Sequence, residues 1–258
     1  MRPSFPHLLA ALAAVAAAHG DAAAGRTPYG WLQDVEVAPE RGAEIETWVS
    51  ELNQWHRDLF DTEENWSFFG WAAAVGVTDQ LELRVPVELT SSLGGGGTGL
   101  KSYGGELRYR ILTSDPVEAP PVVPLARLRV QRMYFNGRVD RIEPGAVVSA
   151  DVGRVKLTAD LAVSIDVDQT ADEHEVDVSY QTFAGASIAL ACHLRVGAEG
   201  GGVIAPGAFE RRRGAAEPWF GLGPNAAWSH GRTWISGALY VGTAHIGWAP
   251  RVNLGIAF

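Results

Sequence analysis

Between Leu81 and Leu89 the apolar residues Leu81, Leu83, Val85, Val87 and Leu89 alternate with Glu82, Arg84, Pro86 and Glu88. A period of two puts successive side chains on opposite faces of an extended chain, so this is a strand with one apolar and one polar face. The same alternation runs from Arg154 to Asp166, where Val155, Leu157, Ala159, Leu161, Val163 and Ile165 share a face. It returns at the C-terminus, with Trp248, Pro250, Val252, Leu254, Ile256 and Phe258 on one side and Ala249, Arg251, Asn253, Gly255 and Ala257 on the other.

Read this way the chain divides into twelve strands, at about 43–54, 65–75, 80–90, 102–113, 121–134, 145–152, 154–166, 175–189, 193–203, 216–228, 232–243 and 248–258. Within the eighth, Phe183 falls on the face opposite Val176, Val178, Tyr180 and Ile188, which suggests a bulge near Gly185. Tight turns are expected at 76–79, around Gly153, at 191–192 and at 229–231, with a longer one through Ser114-Asp115-Pro116. Loops are expected at 55–64, 91–101, 135–144, 167–174 and 204–215. Short and long connections alternate, so the short ones collect at one rim.

An even number of antiparallel strands near the ~9–11 residues needed to cross a bilayer fits an all-β transmembrane up-and-down barrel of about 12 strands. A soluble sandwich shares the alternation. Charge distinguishes the two: the polar faces carry Arg84, Arg108, Arg110, Arg127, Arg129, Arg154, Lys156, Arg195 and Arg251. Such groups belong in a wet lumen, because a cation on the lipid face costs ~2–4 kcal/mol at the midplane. The aromatics Trp55, Trp66, Trp71, Tyr103, Tyr134, Trp228 and Trp248 fall near the expected strand ends, as interfacial girdles do.

Residues 1–24 combine Arg2, a small and apolar run from Leu8 to Ala18, and Ala22-Ala23-Ala24 before Gly25, the layout of a cleaved secretory signal peptide. That run is about half the ~20 apolar residues a membrane-spanning helix requires. The organisation expected is therefore a signal peptide at 1–24, a periplasmic segment at 25–41 with room to enter the lumen, and a barrel at 42–258. Of 258 residues 21 are Lys or Arg and 30 are Asp or Glu, a net charge of -9 that argues against nucleic acid as a partner. Cys192 is the single cysteine, so no internal disulfide can form.

The closing run Arg251-Val252-Asn253-Leu254-Gly255-Ile256-Ala257-Phe258 resembles the C-terminal signature of Gram-negative outer-membrane proteins. The resemblance implies that Val252, Leu254, Ile256 and Phe258 form the signal read by the outer-membrane assembly machinery. Gly42-Ala43-Glu44-Ile45-Glu46-Thr47-Trp48, Gly76-Val77-Thr78-Asp79-Gln80-Leu81-Glu82-Leu83, and Tyr109-Arg110-Ile111-Leu112 running into Asp115-Pro116 are similar to stretches in outer-membrane barrels associated with phenol-degradation pathways. In that family transport is inferred. These stretches specify strands and turns and contain no chemistry.

Gly94 to Ser102 approaches a phosphate-binding loop, but Leu100 intrudes before Lys101 and the next segment alternates as a strand. The acidic run Asp166, Asp168, Asp172, Glu173, Glu175 and Asp177 lacks the spacing of a calcium loop and reads as a solvated loop, as does Arg211-Arg212-Arg213 in 204–215; contact with lipid phosphates is the alternative for each. Ser229-His230 is the one adjacent Ser-His pair, and neighbouring strand residues point to opposite sides. No His is followed two residues later by Ser, the arrangement of the outer-membrane phospholipase. No catalytic, cofactor or metal site is expected.

What remains is the lumen. Arg108 and Arg110 should lie beside Arg127 and Arg129 on the next strand, with Glu82, Glu88, Glu106 and Arg84 on the flanking side. Such a ladder either selects ions and solutes or holds a filled barrel together, and twelve strands lie between filled and open barrels. The expected function is passive passage of small polar or amphipathic solutes by a monomer in contact with outer-membrane lipid and lipopolysaccharide. The alternative is a non-transporting structural or surface-binding barrel with a plugged lumen.

Overall fold

A computed structural model describes residues 27–54, 65–92, 97–112, 122–134, 139–168, 176–204, 219–242 and 246–258. Among them, twelve antiparallel strands each pair with the next, and β1 pairs with β12 to close the barrel. They are β1 (Ala43–Gln54), β2 (Asn65–Gly76), β3 (Leu81–Ser92), β4 (Thr98–Arg110), β5 (Val122–Met133), β6 (Val139–Val152), β7 (Val155–Asp168), β8 (Val176–Ala191), β9 (Leu194–Ile204), β10 (Trp219–His230), β11 (Thr233–Gly242) and β12 (Ile246–Ala257). A strand of about 12 residues is about 40 Å long, and the usual barrel tilt reduces that to roughly the thickness of a hydrocarbon core.

The two faces separate as the alternation requires. Leu83, Val85, Leu107, Leu128, Leu161, Ile235 and Leu254 point outward and are exposed, while Glu82, Arg84, Glu106, Arg108, Arg127 and Asp160 point inward and are buried. The closing seam has the same parity, with Val49 opposite Val252 and Thr47 opposite Leu254. Val252, Leu254 and Ile256 thus belong to the outer belt. Tyr103 and Tyr134 stack on that belt with centroids 6.0 Å apart, whereas Trp48 and Trp234 turn inward. The short connections at 77–80, 153–154, 192–193 and 231–232 lie at one end, called here the turn end. Ser114-Asp115-Pro116, Trp55, Arg211-Arg212-Arg213 and residues 1–26, including the expected signal peptide, lie outside the described residues.

Three expectations need correction. The sixth strand begins at Val139, so 139–144 is not loop. Pro144-Gly145 mimics a turn in sequence, but here it sits in a strand whose ladder to β7 skips Glu143 and Pro144, accommodating the missing N–H. Thr98–Lys101 likewise belongs to β4, while Ile111 and Leu112 have left the strand. No bulge occurs at Gly185: the β7–β8 register runs unbroken from Val155↔Ile188 to Val167↔Val176. Phe183 departs from the outward pattern because it faces the lumen, where its ring meets Trp219 edge-on at 6.1 Å.

Candidate functional site: a charged and partly filled lumen

The lumen contains the segment just before β1. From the turn end, residues 27–38 rise into the barrel and return to a tight turn at Pro39–Gly42, where Gly42 N donates to Pro39 O at 2.8 Å and Arg41 takes a φ of 63°. Tyr29, Leu32, Val35, Val37 and Ala38 are buried. Val35 and Val37 pack on Leu125 and Val147, which are apolar residues on the otherwise polar inner face.

Polar bonds fix the rest of the segment around the circumference. The Glu199 carboxylate on β9 accepts the backbone N–H groups of Gly30 and Trp31, both at 2.9 Å, and of Leu32 at 3.4 Å. Ala38 N donates to Glu82 Oε2 at 2.7 Å. Lys156 Nζ and Ser149 Oγ both reach the Asp34 carboxylate, at 2.8 and 2.7 Å. Ser236 Oγ donates to Tyr29 O and Asn253 Nδ2 to Gly30 O, each at 2.8 Å. The Tyr29 hydroxyl donates to Lys156 O at 3.1 Å, and burial raises its pKa, which keeps it a donor. Its ring occupies the space above Gly185, where a Cβ would come within 2.7 Å.

Across β1 and β3–β7 the inner wall carries a chain of alternating charge. Glu46 holds Arg84, and Arg84 reaches Glu106 at 3.5 Å. Glu106 holds Arg129 at 3.0 Å, and Arg129 lies 3.6 Å from Glu143. Glu143 pairs with Arg127 at 2.6 Å, and Arg127 with Asp160 at 3.2 Å. Every link joins a cation to a carboxylate, which is the compensation buried charges require.

The residues singled out in the sequence are therefore dispersed along this wall. Arg84, Arg127, Arg129 and Glu106 lie in the chain. Arg108 and Glu82 pair at 3.3 Å nearer the turn end, where Arg108 also meets the Asp34 carbonyl. Arg110 is at the turn rim, 3.7 Å from Glu36. Glu88 is nearer the loops, bonded to Lys101 at 2.7 Å and to Trp48 Nε1 at 2.9 Å. Lys101 is thus an inward strand residue and does not open a helix, as the lysine of a phosphate-binding loop does. Asp166 binds Arg141 at 2.7 Å, and among the described residues no cluster of three or more potential metal ligands occurs. Sequence reasoning did not single out Glu46, Glu143, Asp160 and Glu199, and it gave the segment 25–41 room to enter the lumen without a residue that requires it. Glu143 was hidden by the Pro144-Gly145 turn signal. For the segment, the readable sign was a set of apolar or aromatic residues on inward positions: Leu125, Val147, Phe183 and Tyr240.

Towards the loop end the lumen widens into a vestibule of about 350 Å³. Its floor is Trp31 and Gln33, and its wall presents six cationic side chains and three carboxylates, with Glu46, Glu106 and Asp166 pairing three of those cations from just behind the surface. Aromatic rings from Trp48, Phe68, Phe183 and Trp219 also line it. A smaller cavity of about 40 Å³ runs beside the inner segment and is bordered by Thr27 and Glu36. The two cavities share Trp31, Gln33, Arg84 and Arg251 as walls.

No family model and no curated sequence matches this chain. Among solved structures it resembles the NanC porin, with a TM-score of 0.53 and 8% identity over 84% of this chain and 98% of that one. The β domain of the Bordetella autotransporter BrkA follows at a TM-score of 0.48 and 12% identity, covering 84% and 99%. The translocator domain of the autotransporter NalP from Neisseria meningitidis gives 0.47 and 10%, covering 98% and 94%. At these identities the likeness is one of fold, that of outer-membrane β-barrels.

Proposed function

We propose that this chain is an outer-membrane channel of low conductance for small polar or amphipathic solutes, with its N-terminal segment as the constriction. The observation that carries this is the pair of adjoining cavities: the vestibule and the cleft beside the segment have Trp31, Gln33, Arg84 and Arg251 in common. A solute passing along that side meets the shared guanidinium groups of Arg84 and Arg251, and Arg251, which makes no direct ion pair, favours an anion there. In this reading the turn end is periplasmic, the vestibule opens outward, and residues 1–24 are removed on export. Monomers sit in outer-membrane lipid and lipopolysaccharide, and Val252, Leu254, Ile256 and Phe258 present the assembly signal. The resemblance to barrels associated with phenol-degradation pathways points to the same class of role.

The test is single-channel recording in a planar bilayer, on refolded full-chain protein verified as a heat-modifiable barrel. Small discrete steps with anion preference are expected. A second reading, a non-transporting barrel with a filled lumen, is favoured by the many bonds that hold residues 29–38. Silence from verified barrel would establish that reading in place of the channel.

A further inference from the structure

Arg251 differs from the other cations of the vestibule. Arg84, Arg127, Arg129, Arg141 and Lys101 each hold a carboxylate. Arg251, on β12, makes no direct ion pair with a carboxylate among the described residues, although Glu88 and Glu46 lie near enough to act on its charge. Its Nε donates to Asn253 Oδ1 at 2.9 Å, and its guanidinium carbon lies 5.1 Å from the Trp31 ring centre and 5.4 Å from that of Trp48. The two indoles attract and steady the cation without using its N–H donors. The terminal nitrogens are left without a hydrogen-bond acceptor on a wall of the vestibule, in the fork geometry that grips a carboxylate through two parallel bonds.

The surroundings define what such a carboxylate would be attached to. Phe183 and Trp219 meet edge-on beside the same space, and Trp31 and Phe68 add further ring surface. Flat apolar surface next to one guanidinium that lacks a direct ion pair suits a single negative charge on a ring-sized body. A dianion would instead meet the neighbouring carboxylates of Glu88, Glu143 and Asp160. A cavity of about 350 Å³ is large enough for one such molecule. We propose that the vestibule binds a small organic monocarboxylate carrying a flat apolar ring, its carboxylate on Arg251 and its ring against Trp31, Phe183 and Trp219. This rests on the channel reading, since it names the solute class of the same vestibule.

The experiment is isothermal titration of refolded full-chain protein in detergent micelles with benzoate, benzyl alcohol, acetate and inorganic phosphate. Benzoate should bind about tenfold or more tightly than the other three, because only it supplies both the charge and the ring. Arg251→Gln should reduce benzoate to the level of benzyl alcohol, and Arg251→Lys should retain part of the affinity as a charge without the fork. Phe183→Leu should weaken benzoate while leaving acetate unchanged. Equal binding of acetate or phosphate, or undiminished benzoate binding to folded Arg251→Gln, would overturn the site. If the Arg251 variants fail to fold, an unchanged benzoate affinity in Phe183→Leu overturns it on its own. Benzoate binding to a barrel that does not conduct would sink the channel and keep the site; conduction without benzoate binding would do the reverse.

Discussion

Glu199 turns a strand of the wall into a mooring for another part of the chain. Its two carboxylate oxygens accept three consecutive backbone N–H groups, a charge-assisted arrangement that neither Gln nor Ala can reproduce. Glu199→Ala should leave those amides unpaired, at a cost of about 1–3 kcal/mol for each that stays buried. The segment should then loosen: limited proteolysis of the folded variant should cut within 27–38, and channel openings should become larger. Glu199→Gln should lie between the variant and the native protein by both measures. Arg127 offers a different experiment. It bridges Glu143 and Asp160, so Arg127→Ala strands Asp160, leaves Glu143 to its weaker contact with Arg129, and should destabilise the barrel by about 3–5 kcal/mol. A lower temperature of the heat-modifiable transition would register that loss. Replacing Arg127 is therefore a test of stability, whereas Arg251 is where selectivity should respond.

At the scale of elements, legibility followed the regularity of the pattern. Leu81 to Leu89 identified β3 and its inward Glu82, Arg84 and Glu88 without help from the structure, because unbroken alternation leaves one register open. Pro144-Gly145 inside β6 obscured both that strand's start and the central carboxylate Glu143. Residues 27–38 alternate only over Asp34-Val35-Glu36-Val37, too short a run to define an element, since their fold is dictated by the cavity they enter and not by their own backbone pattern. Their trace lay on other strands, in Phe183, Leu125 and Val147. The close fit also supplies a prediction: Gly185 lies under the Tyr29 ring, so Gly185→Leu should expel the ring while leaving the β7–β8 pairing intact. Deletion of 27–38 should go further, giving a folded barrel with several-fold larger conductance steps. An unchanged step size in the deletion would remove the segment from the conduction path.

For the whole molecule, closure leaves no open strand edge, and the outer belt must match the membrane. Leu161, near the middle of β7 and 59% exposed, should mark the midplane. Leu161→Arg should cost about 2–4 kcal/mol, read from denaturant titration in lipid vesicles. The interior is unsymmetrical in two directions. One side of the wall is a chain of ion pairs, and residues 27–38 fill one end while the vestibule lies towards the other. A barrel inserted in one orientation should therefore pass current unequally under opposite voltages, and the deletion of 27–38 should make the curve nearly symmetrical.

The turn at Pro39–Gly42 joins the inner segment covalently to β1, only a few residues from its last anchor at Ala38. A stopper on so short a leash cannot diffuse away after it slips out, because the tether keeps its local concentration in the millimolar range or above. Re-entry is then an intramolecular search that does not depend on how many copies the cell makes. Openings should accordingly end with the same average dwell time in a sparse bilayer as in a crowded one, as befits a door hung on its own hinge.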